Sequence, residues 1–425
     1  MTVVRAPMSE RKLVFLIGAG QFINTLDFAM VLPLGPDFAK ALDIPVSKLG
    51  MLGASYTAAQ AVTCLAGAFF LDRFDRRRAL AVAFTGLVVA TAACGFATGF
   101  VSLLAARMVA GVFGGTVETF AFAIVGDAVA PERLGRAMGA LASSLAVASV
   151  LGVPAGLELA RLGGWRAPFF TLAALGAVVI VAVISMLPPQ RAHLLVQPGP
   201  FRDVLRRPVV WLGLSCVAIG VMAHYTLVPN LSAFFQFNRS YPRDQLGLLY
   251  MIGGAFAFGT ARLVGWLADR YGASLVVAFG ATLYAAVLIV GFIYPVEAIP
   301  VRVIFVGFMI SSGFRFVPMM ALSSLIPGPE ERARFLSVEA AVDSVAVTIG
   351  AMLGAQILSE RPDGSLAGID DVAWLAIAMT FVYAALCYVI GRGLRARIVE
   401  SPGHASMAAK GVVIQLPNSN RSRTK

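Results

Sequence analysis

The sequence predicts an all-α membrane protein with twelve transmembrane helices in two related halves of six. The composition is 58% hydrophobic and only 13% charged, whereas soluble domains contain about 25% charged residues. Apolar stretches of about 20 residues recur along the chain, and each is long enough to cross a hydrocarbon core of about 30 Å as a helix. Two sequence motifs also recur at nearly the same spacing, which indicates a duplication.

Polar residues and Pro/Gly breaks divide the chain into twelve predicted spans. We place a cytoplasmic N-terminus at 1–12, an N-terminal six-helix bundle at 13–187 and a cytoplasmic central loop at 188–208. A C-terminal six-helix bundle follows at 209–392, and a cytoplasmic tail at 393–425. The individual spans lie near 13–34, 48–71, 79–99, 101–126, 136–160, 167–187, 209–233, 245–268, 273–294, 299–323, 337–358 and 372–392.

The orientation of the spans follows from the positions of the basic residues. Lys and Arg gather in the segments between spans that are internal if the N-terminus is cytoplasmic. The positive-inside rule therefore predicts that both termini and the central loop are cytoplasmic. The expected location is a bacterial inner membrane. This placement accounts for the net charge of +11 without a nucleic-acid partner. We expect the basic tail to contact anionic lipid.

The duplication is visible in two loops. Leu71-Asp-Arg-Phe-Asp-Arg-Arg-Arg78 follows span two, and Gly265-Trp-Leu-Ala-Asp-Arg-Tyr-Gly272 follows span eight, so that Asp72 and Asp269 are 197 residues apart (269 − 72). The loop that begins Pro131-Glu-Arg recurs at Pro329-Glu-Glu, displaced by 198 residues (329 − 131). Two independent motifs repeated at nearly the same spacing indicate a duplication, and chance is a poor explanation for them.

Twelve spans, the paired Asp-Arg loops and the long middle loop together resemble the major facilitator superfamily over residues 13–392. The resemblance implies two six-helix bundles with a substrate cavity between them near the midplane. The family's loop reads G-x-x-x-D-R-x-G-R-R; the second copy fits through Asp-Arg-x-Gly, whereas the first has Ala68 and Asp75 in place of glycines. By resemblance, Asp72, Arg76 and Asp127 form a closure network. The predicted gating residues as a whole are Asp72, Arg73, Arg76, Asp127, Asp269 and Arg270.

Two further motifs are similar to those of proton-linked drug and sugar exporters. In span four, Arg107-Met-Val-Ala-Gly111 followed by Gly114-Gly115 is similar to the pattern R-x-x-Q-G-x-G-G, with Ala110 in place of the Gln. In span five, Gly152-Val-Pro-Ala-Gly156 resembles the exporters' Gly-Pro element. We interpret Gly152, Pro154 and Gly156 as helix-packing residues.

Asp27 and Arg107 are predicted to lie at matching depths in spans one and four, so that they can form a pair. A charge at mid-bilayer costs roughly 2.5 to 3.5 kcal/mol and therefore requires a partner or a role. A carboxylate that alternates between Arg pairing and protonation is a simple proton-coupling device. The alternative is a permanent ion pair that locks the N-terminal bundle.

Two other titratable residues are candidates for proton coupling. His224 occupies the position that the repeat spacing assigns to Asp27 (27 + 197), although a solitary His on a helix is more often a hydrogen-bonding residue. Asp343 lies four residues from Glu339 on one helix face, and these two acids could instead stabilise the helix N-terminus.

The remaining candidates are polar or aromatic residues within spans. Glu118 and Arg315 could face the cavity and select a charged substrate, or extend to the inner interface as long side chains do. The predicted substrate-cavity residues are Gln21, Asn24, Gln60, Glu118, Phe122, Tyr225 and Arg315.

The sequence favours secondary active efflux of a sugar or drug-like metabolite in exchange for protons. The alternative is an importer or uniporter; Met30-Val-Leu-Pro-Leu-Gly-Pro-Asp37 and the loop at Leu71 resemble magnetosome permeases of magnetotactic bacteria, which would imply iron transport in a magnetosome membrane. A non-transporting scaffold or sensor would need an added soluble domain. We expect a monomer without a cofactor or a metal. The sequence has no P-loop, which argues against an ATP-driven pump, and no evident nucleophile–base set, which argues against an enzyme.

Overall fold

The computed structural model describes residues 8–70, 75–129, 131–188, 207–324 and 332–400. The N-terminal half contains α1 (Glu10–Ala29), α2 (Gly35–Leu42), α3 (Leu49–Phe70), α4 (Arg76–Gly95), α5 (Phe100–Ala128), α6 (Pro131–Val147), α7 (Val153–Gly163) and α8 (Ala167–Met186). The C-terminal half contains α9 (Pro208–Tyr225), α10 (Leu246–Tyr271), α11 (Ala273–Leu288), α12 (Val301–Ser324), α13 (Arg332–Ile357) and α14 (Ile369–Glu400).

Helices occupy all twelve predicted spans, and the predicted all-α architecture is confirmed. Within the described residues, nine helices are long and apolar enough to cross a membrane, as judged by length and composition. The spans outside this set correspond to α1, α3 and the interrupted pair α6 and α7. The total of twelve crossings therefore remains a prediction, because it includes these three spans.

The fifth span is interrupted between α6 and α7. A π-helical turn at Ala148–Gly152 joins the two helices. Pro154, which has no N–H and is favoured at the start of a helix, lies in the first turn of α7. A Cβ atom on Gly152 would lie 2.7 Å from Leu26 Cδ1, so the glycine permits the close approach to α1.

The two halves meet along two seams. One seam packs α3 against α13, where a Cβ atom on Gly50 would lie 2.9 Å from the backbone oxygen of Ala351. The other seam packs α7 and its π-helical turn against α10, where a Cβ atom on Gly254 would lie 3.0 Å from Val150 Cα. Small residues at both seams thus let helix backbones approach closely, as is common in membrane bundles.

A short hairpin connects the last two helices. Ser359–Glu360 pairs antiparallel with Leu366–Ala367, and the Asn238 side chain binds both the N–H and the C=O of Leu366. Helix α14 continues to Glu400, eight residues beyond the predicted end of span twelve at 392. The central loop from 189 to 206 and the tail beyond 400 lie outside the described residues.

Candidate functional site

A fully buried ion pair lies inside the N-terminal half. Arg107 Nη1 on α5 donates to Asp27 Oδ2 on α1 at 2.7 Å, and both side chains are 0% exposed. Thr91 on α4 donates its hydroxyl hydrogen to the other carboxylate oxygen, Oδ1, at 2.7 Å. The pair therefore joins three helices, and it combines a titratable acid with a permanent cation in a site shielded from water.

An aromatic residue on α3 completes this site. The guanidinium carbon of Arg107 lies 4.5 Å from the centroid of the Tyr56 ring, which is a favourable cation–π distance. The Tyr56 hydroxyl donates to Asn24 Oδ1 at 2.9 Å. Arg107 is therefore held by one acid and one aromatic ring.

The glycines that follow Arg107 make room for α3. A Cβ atom on Gly111 would lie 2.1 Å from the Tyr56 backbone oxygen, and one on Gly114 would lie 2.1 Å from the Tyr56 hydroxyl. These distances are too short for any side chain. The exporter-like glycine pattern in span four thus has a steric basis, because it sets how closely Tyr56 approaches Arg107.

Substitution of Gly111 by Ala is expected to destabilise the protein by about 1 to 3 kcal/mol, since α3 and α5 must move apart to admit the methyl group. Thermal unfolding of the purified variant in detergent would measure the loss. Gly126→Ala is the matched control on the same helix, because a Cβ atom there meets only Met138 Cε at 3.5 Å. Equal melting temperatures for the two variants would contradict the steric explanation.

A second ion pair connects the two halves at the end that we assign to the outside. Arg243, which precedes α10, binds Asp37 of α2 in a bidentate manner, with Nε–Oδ1 at 2.8 Å and Nη2–Oδ2 at 2.6 Å. At the same end, the backbone N–H of Val46 donates to Glu360 Oε2 at 2.7 Å. Deeper in the seam, the hydroxyls of Thr57 and Thr348 lie 2.8 Å apart.

The predicted gating residues are only partly within the described structure. Arg76 forms an ion pair with Asp127 and donates to the Ala123 carbonyl at 3.2 Å, which ties α4 to α5 within one half. Asp75 caps α4 by accepting from the backbone N–H of Arg77 at 3.1 Å. The unusual acid in the first Asp-Arg loop thus starts a helix. Asp72 and Arg73 lie outside the described residues.

The second Asp-Arg loop lies at the end of α10. Asp269 and Arg270 are exposed there, and the Arg270 guanidinium carbon lies 5.4 Å from the Trp266 ring and 5.7 Å from the Tyr271 ring. The side chain therefore lies against aromatic surface, as basic residues near a membrane interface often do.

His224 lies in an aromatic environment in the C-terminal half. Its ring stacks on Phe308 at 5.2 Å and meets the edges of Phe316 and Tyr225 at 5.1 and 5.5 Å. Its Nδ1 lies 3.5 Å from the Ser312 hydroxyl. These contacts supply packing and a weak hydrogen bond, in contrast to the carboxylate–arginine contact at the repeat-related Asp27.

Arg315 is a second buried arginine, 2% exposed. It donates to the Gly220 carbonyl at 3.0 Å, and its guanidinium carbon lies 4.3 Å from the Tyr284 ring. Tyr383 donates its hydroxyl hydrogen to the Arg315 backbone oxygen at 2.7 Å. Arg315 is thus enclosed by α9, α11 and α14, although the sequence alone also allowed an interfacial position.

Three acids lie near the seam between α3, α5 and α13. Glu118 accepts from Gln60 Nε2 at 2.6 Å, and Glu339 accepts from the Ser323 hydroxyl at 2.5 Å. Asp343 lies within electrostatic range of both acids. Because α13 begins at Arg332, Glu339 and Asp343 are beyond its first turn. The idea that they stabilise the helix N-terminus therefore loses its basis, since that effect fades within one turn.

The remaining predicted cavity residues lie in different surroundings. Tyr225 contacts Phe28 across the two halves, with ring centroids 6.3 Å apart. Gln21 lines a small apolar cavity enclosed by α1, α4, α5 and α8. Phe122 is half-buried against the hydrophobic core. Of these three residues, Tyr225 is thus the one with a ring contact between the halves.

The cysteines and acids bear on possible metal binding. Among the residues that the structure describes, no group of three or more His, Cys, Asp or Glu side chains is arranged to hold a metal ion. Cys216 and Cys387 are a close pair, with their sulfur atoms 3.3 Å apart between α9 and α14. All four cysteines are free.

The fold defines a multi-pass membrane transporter built from two helical halves. A family model of the Major Facilitator Superfamily matches residues 17–351, and the chain belongs to this superfamily. It is a family of transporters rather than a class of enzymes. The predicted family and fold are thereby confirmed.

The relatives include an inner membrane transport protein and a chloramphenicol resistance protein. The chain is 24% identical to the inner membrane transport protein YdhP of Escherichia coli (strain K12) over 368 residues, 85% of this chain and 93% of that protein. It is 27% identical to a chloramphenicol resistance protein of Streptomyces lividans over 262 residues, 61% of this chain and 67% of that protein. The magnetosome and iron-transport alternative finds no support in these relatives.

Solved structures share the fold. A bacterial homolog of the human lysosomal transporter Spinster, in an inward-facing and occupied conformation, superposes with a TM-score of 0.73 at 15% identity, covering 91% of this chain and 98% of that chain. A D-xylose-proton symporter gives a TM-score of 0.73 at 13% identity, covering 89% and 98%. At such identities the likeness concerns the fold alone.

Proposed function

We propose that this protein exports a small drug-like or sugar-like molecule in exchange for protons. The proposal is based mainly on the buried site of Asp27, Arg107 and Thr91 inside a transporter fold. An acid in contact with one cation and one hydroxyl is suited to bind and release a proton, because such neighbours set the balance between its ionised and protonated forms. The named chloramphenicol resistance protein among the relatives favours a drug-like substrate.

Alternating access supplies the mechanism. The ion pair between Asp37 and Arg243 and the bond from Val46 to Glu360 hold the two halves together at the outer end. In this scheme the conformation with these outer contacts formed is inward-facing, and substrate enters it from the cytoplasm. Breaking the outer contacts lets one bundle rock against the other and admits protons from outside to Asp27, as in other transporters built from two repeats.

Flux into proteoliposomes with an acidic lumen tests the proposal. Proton exit down the gradient is expected to drive accumulation of a transported compound in the lumen. Chloramphenicol, a cationic drug and a sugar are the compounds to screen, with the cationic drug included because the carboxyl groups of Glu118 and Asp343 lie near the seam. Protein-free liposomes correct for passive trapping of weak bases. Flux that is independent of the pH gradient for all three would contradict proton exchange.

The same assay distinguishes the competing functions. A proton-coupled importer would move substrate out of the acidic lumen together with protons, and a uniporter would only equilibrate it. A scaffold or sensor would give no flux above protein-free liposomes with any compound. Gel filtration with light scattering in detergent would test the expected monomer.

A further inference from the structure

The Thr91 hydroxyl has two acceptors and one hydrogen. Its oxygen lies 2.7 Å from Asp27 Oδ1 and 2.9 Å from the Leu87 backbone carbonyl one turn earlier in α4. The threonine is 2% exposed and Asp27 is 0% exposed. A hydroxyl donates a single hydrogen but also accepts through its lone pairs. Both distances allow a hydrogen bond. The hydroxyl has only one hydrogen, however, so it cannot donate fully to both acceptors at once.

We propose that Thr91 is a positioning residue for the proton carried by Asp27, and that its hydroxyl reverses direction with the state of the acid. When Asp27 is ionised, the Thr91 hydrogen points to Oδ1. When a hydronium ion transfers a proton to Oδ1, one O–H bond of the hydronium breaks, one O–H bond forms on Asp27 and a water molecule is released. The acid then donates to the Thr91 oxygen, whose own hydrogen turns to the Leu87 carbonyl. This assignment rests on the proposed proton exchange.

This reversal of the hydrogen bond leaves Asp27, Thr91 and the Leu87 carbonyl with a partner in both protonation states of the acid. No heavy atom has to move, and Arg107 keeps its contact with Oδ2 throughout. A buried polar group that loses its partner is costly, so a residue that can both donate and accept lowers the cost of each protonation state. Arg107 cannot serve in this way, because a guanidinium group only donates.

The other titratable groups around Asp27 do not replace Thr91. Arg107 faces Asp27 from α5, Tyr56 from α3 and Cys94 from α4. Tyr56 donates its hydroxyl hydrogen to Asn24. Among the described residues, Thr91 is the side chain with a hydrogen bond to Oδ1, so the reversible contact is assigned to its hydroxyl.

Thr91→Val removes the hydroxyl at nearly constant volume and is the test variant. The ionised acid loses a bond to a charged acceptor, which is stronger than the bond that the protonated acid loses. The pH at half-maximal transport is therefore expected to rise by about 0.5 to 1 unit. Thr91→Ser is expected to retain the wild-type pH profile. Thr85→Val is the matched control, because Thr85 on the same helix bonds the Ala81 carbonyl at 2.7 Å and is exposed.

Infrared difference spectroscopy of the purified variants in lipid provides a readout that does not depend on transport. Acidification should produce a carboxylic-acid band that Asp27→Asn removes and that Thr91→Val moves to higher frequency, as a weaker hydrogen bond requires. A wild-type band and pH profile in Thr91→Val would overturn the Thr91 assignment alone. A band that survives in Asp27→Asn would locate the proton elsewhere and overturn the proposed function with it.

Discussion

Replacing Asp27 with Asn is expected to abolish transport driven by a pH gradient while leaving exchange of substrate at equal pH measurable. Asn keeps the shape of the side chain and an oxygen that can accept from Arg107, but it cannot release a proton. Exchange needs an intact cavity and alternating access, whereas net coupled flux also needs protonation and deprotonation. Gradient-driven flux and equal-pH exchange, measured on one preparation in proteoliposomes, separate these two requirements.

A purely structural ion pair predicts a different outcome. Asn at position 27 would then leave the Arg107 charge uncompensated in a fully buried site, and removing one partner of such a pair costs about 3 to 5 kcal/mol. Thermal stability, exchange and gradient-driven flux would all fall together. The control is Asp371→Asn, which changes an exposed acid at the start of α14. Undiminished pH-driven flux in Asp27→Asn would remove Asp27 as the proton site and leave His224 or Asp343.

The charge-reversed double variant adds a test of direct contact. Asp27→Arg and Arg107→Asp each place two like charges in a buried site, whereas the combination restores opposite charges. The double variant is therefore expected to insert and fold better than either single variant. Yields in the membrane and melting temperatures of the three variants would measure this coupling.

The contact between Asp27 and Arg107 could be anticipated from the sequence because both charges stand out within apolar spans. Their depth is set by the helix rise, so a match follows from counting residues. Thr91 and Tyr56 give no such signal. A single hydroxyl in an apolar span can always bond its own helix, as Thr91 does with Leu87. Only the packing of α3 and α4 around α1 reveals their second partners.

The seams between the halves were less accessible to prediction. Asp37 and Arg243 are 206 residues apart and lie in different halves, and the repeat relates halves in sequence without specifying how they meet. Asp75 illustrates the opposite case, in which a departure from the family pattern was visible. Asp75 directly precedes Arg76, the first residue of α4, and Asp is a preferred residue at the N-cap position of a helix.

Replacing Arg243 with Ala is expected to shift the conformational equilibrium toward an opened outer seam. The Asp37–Arg243 pair is bidentate and its side chains are only 24% and 27% exposed, so it is stronger than a fully exposed pair. We expect a contribution of about 1 to 2 kcal/mol, which corresponds to roughly a 5- to 30-fold shift in the equilibrium. Asp37→Asn is expected to act in the same direction.

Labelling of Ala355→Cys by a membrane-impermeant maleimide would measure this opening, because residue 355 lies against Gly50 in the outer part of the seam between α3 and α13. Faster labelling is expected in the Arg243→Ala background. Arg161→Ala is the matched control, since Arg161 pairs with Glu158 within α7 and does not join the halves through that pair. The reversed pair, Asp37→Arg with Arg243→Asp, is expected to restore slow labelling. Identical labelling rates in the Arg243→Ala and Arg161→Ala backgrounds would show that the outer ion pair does not hold the seam closed.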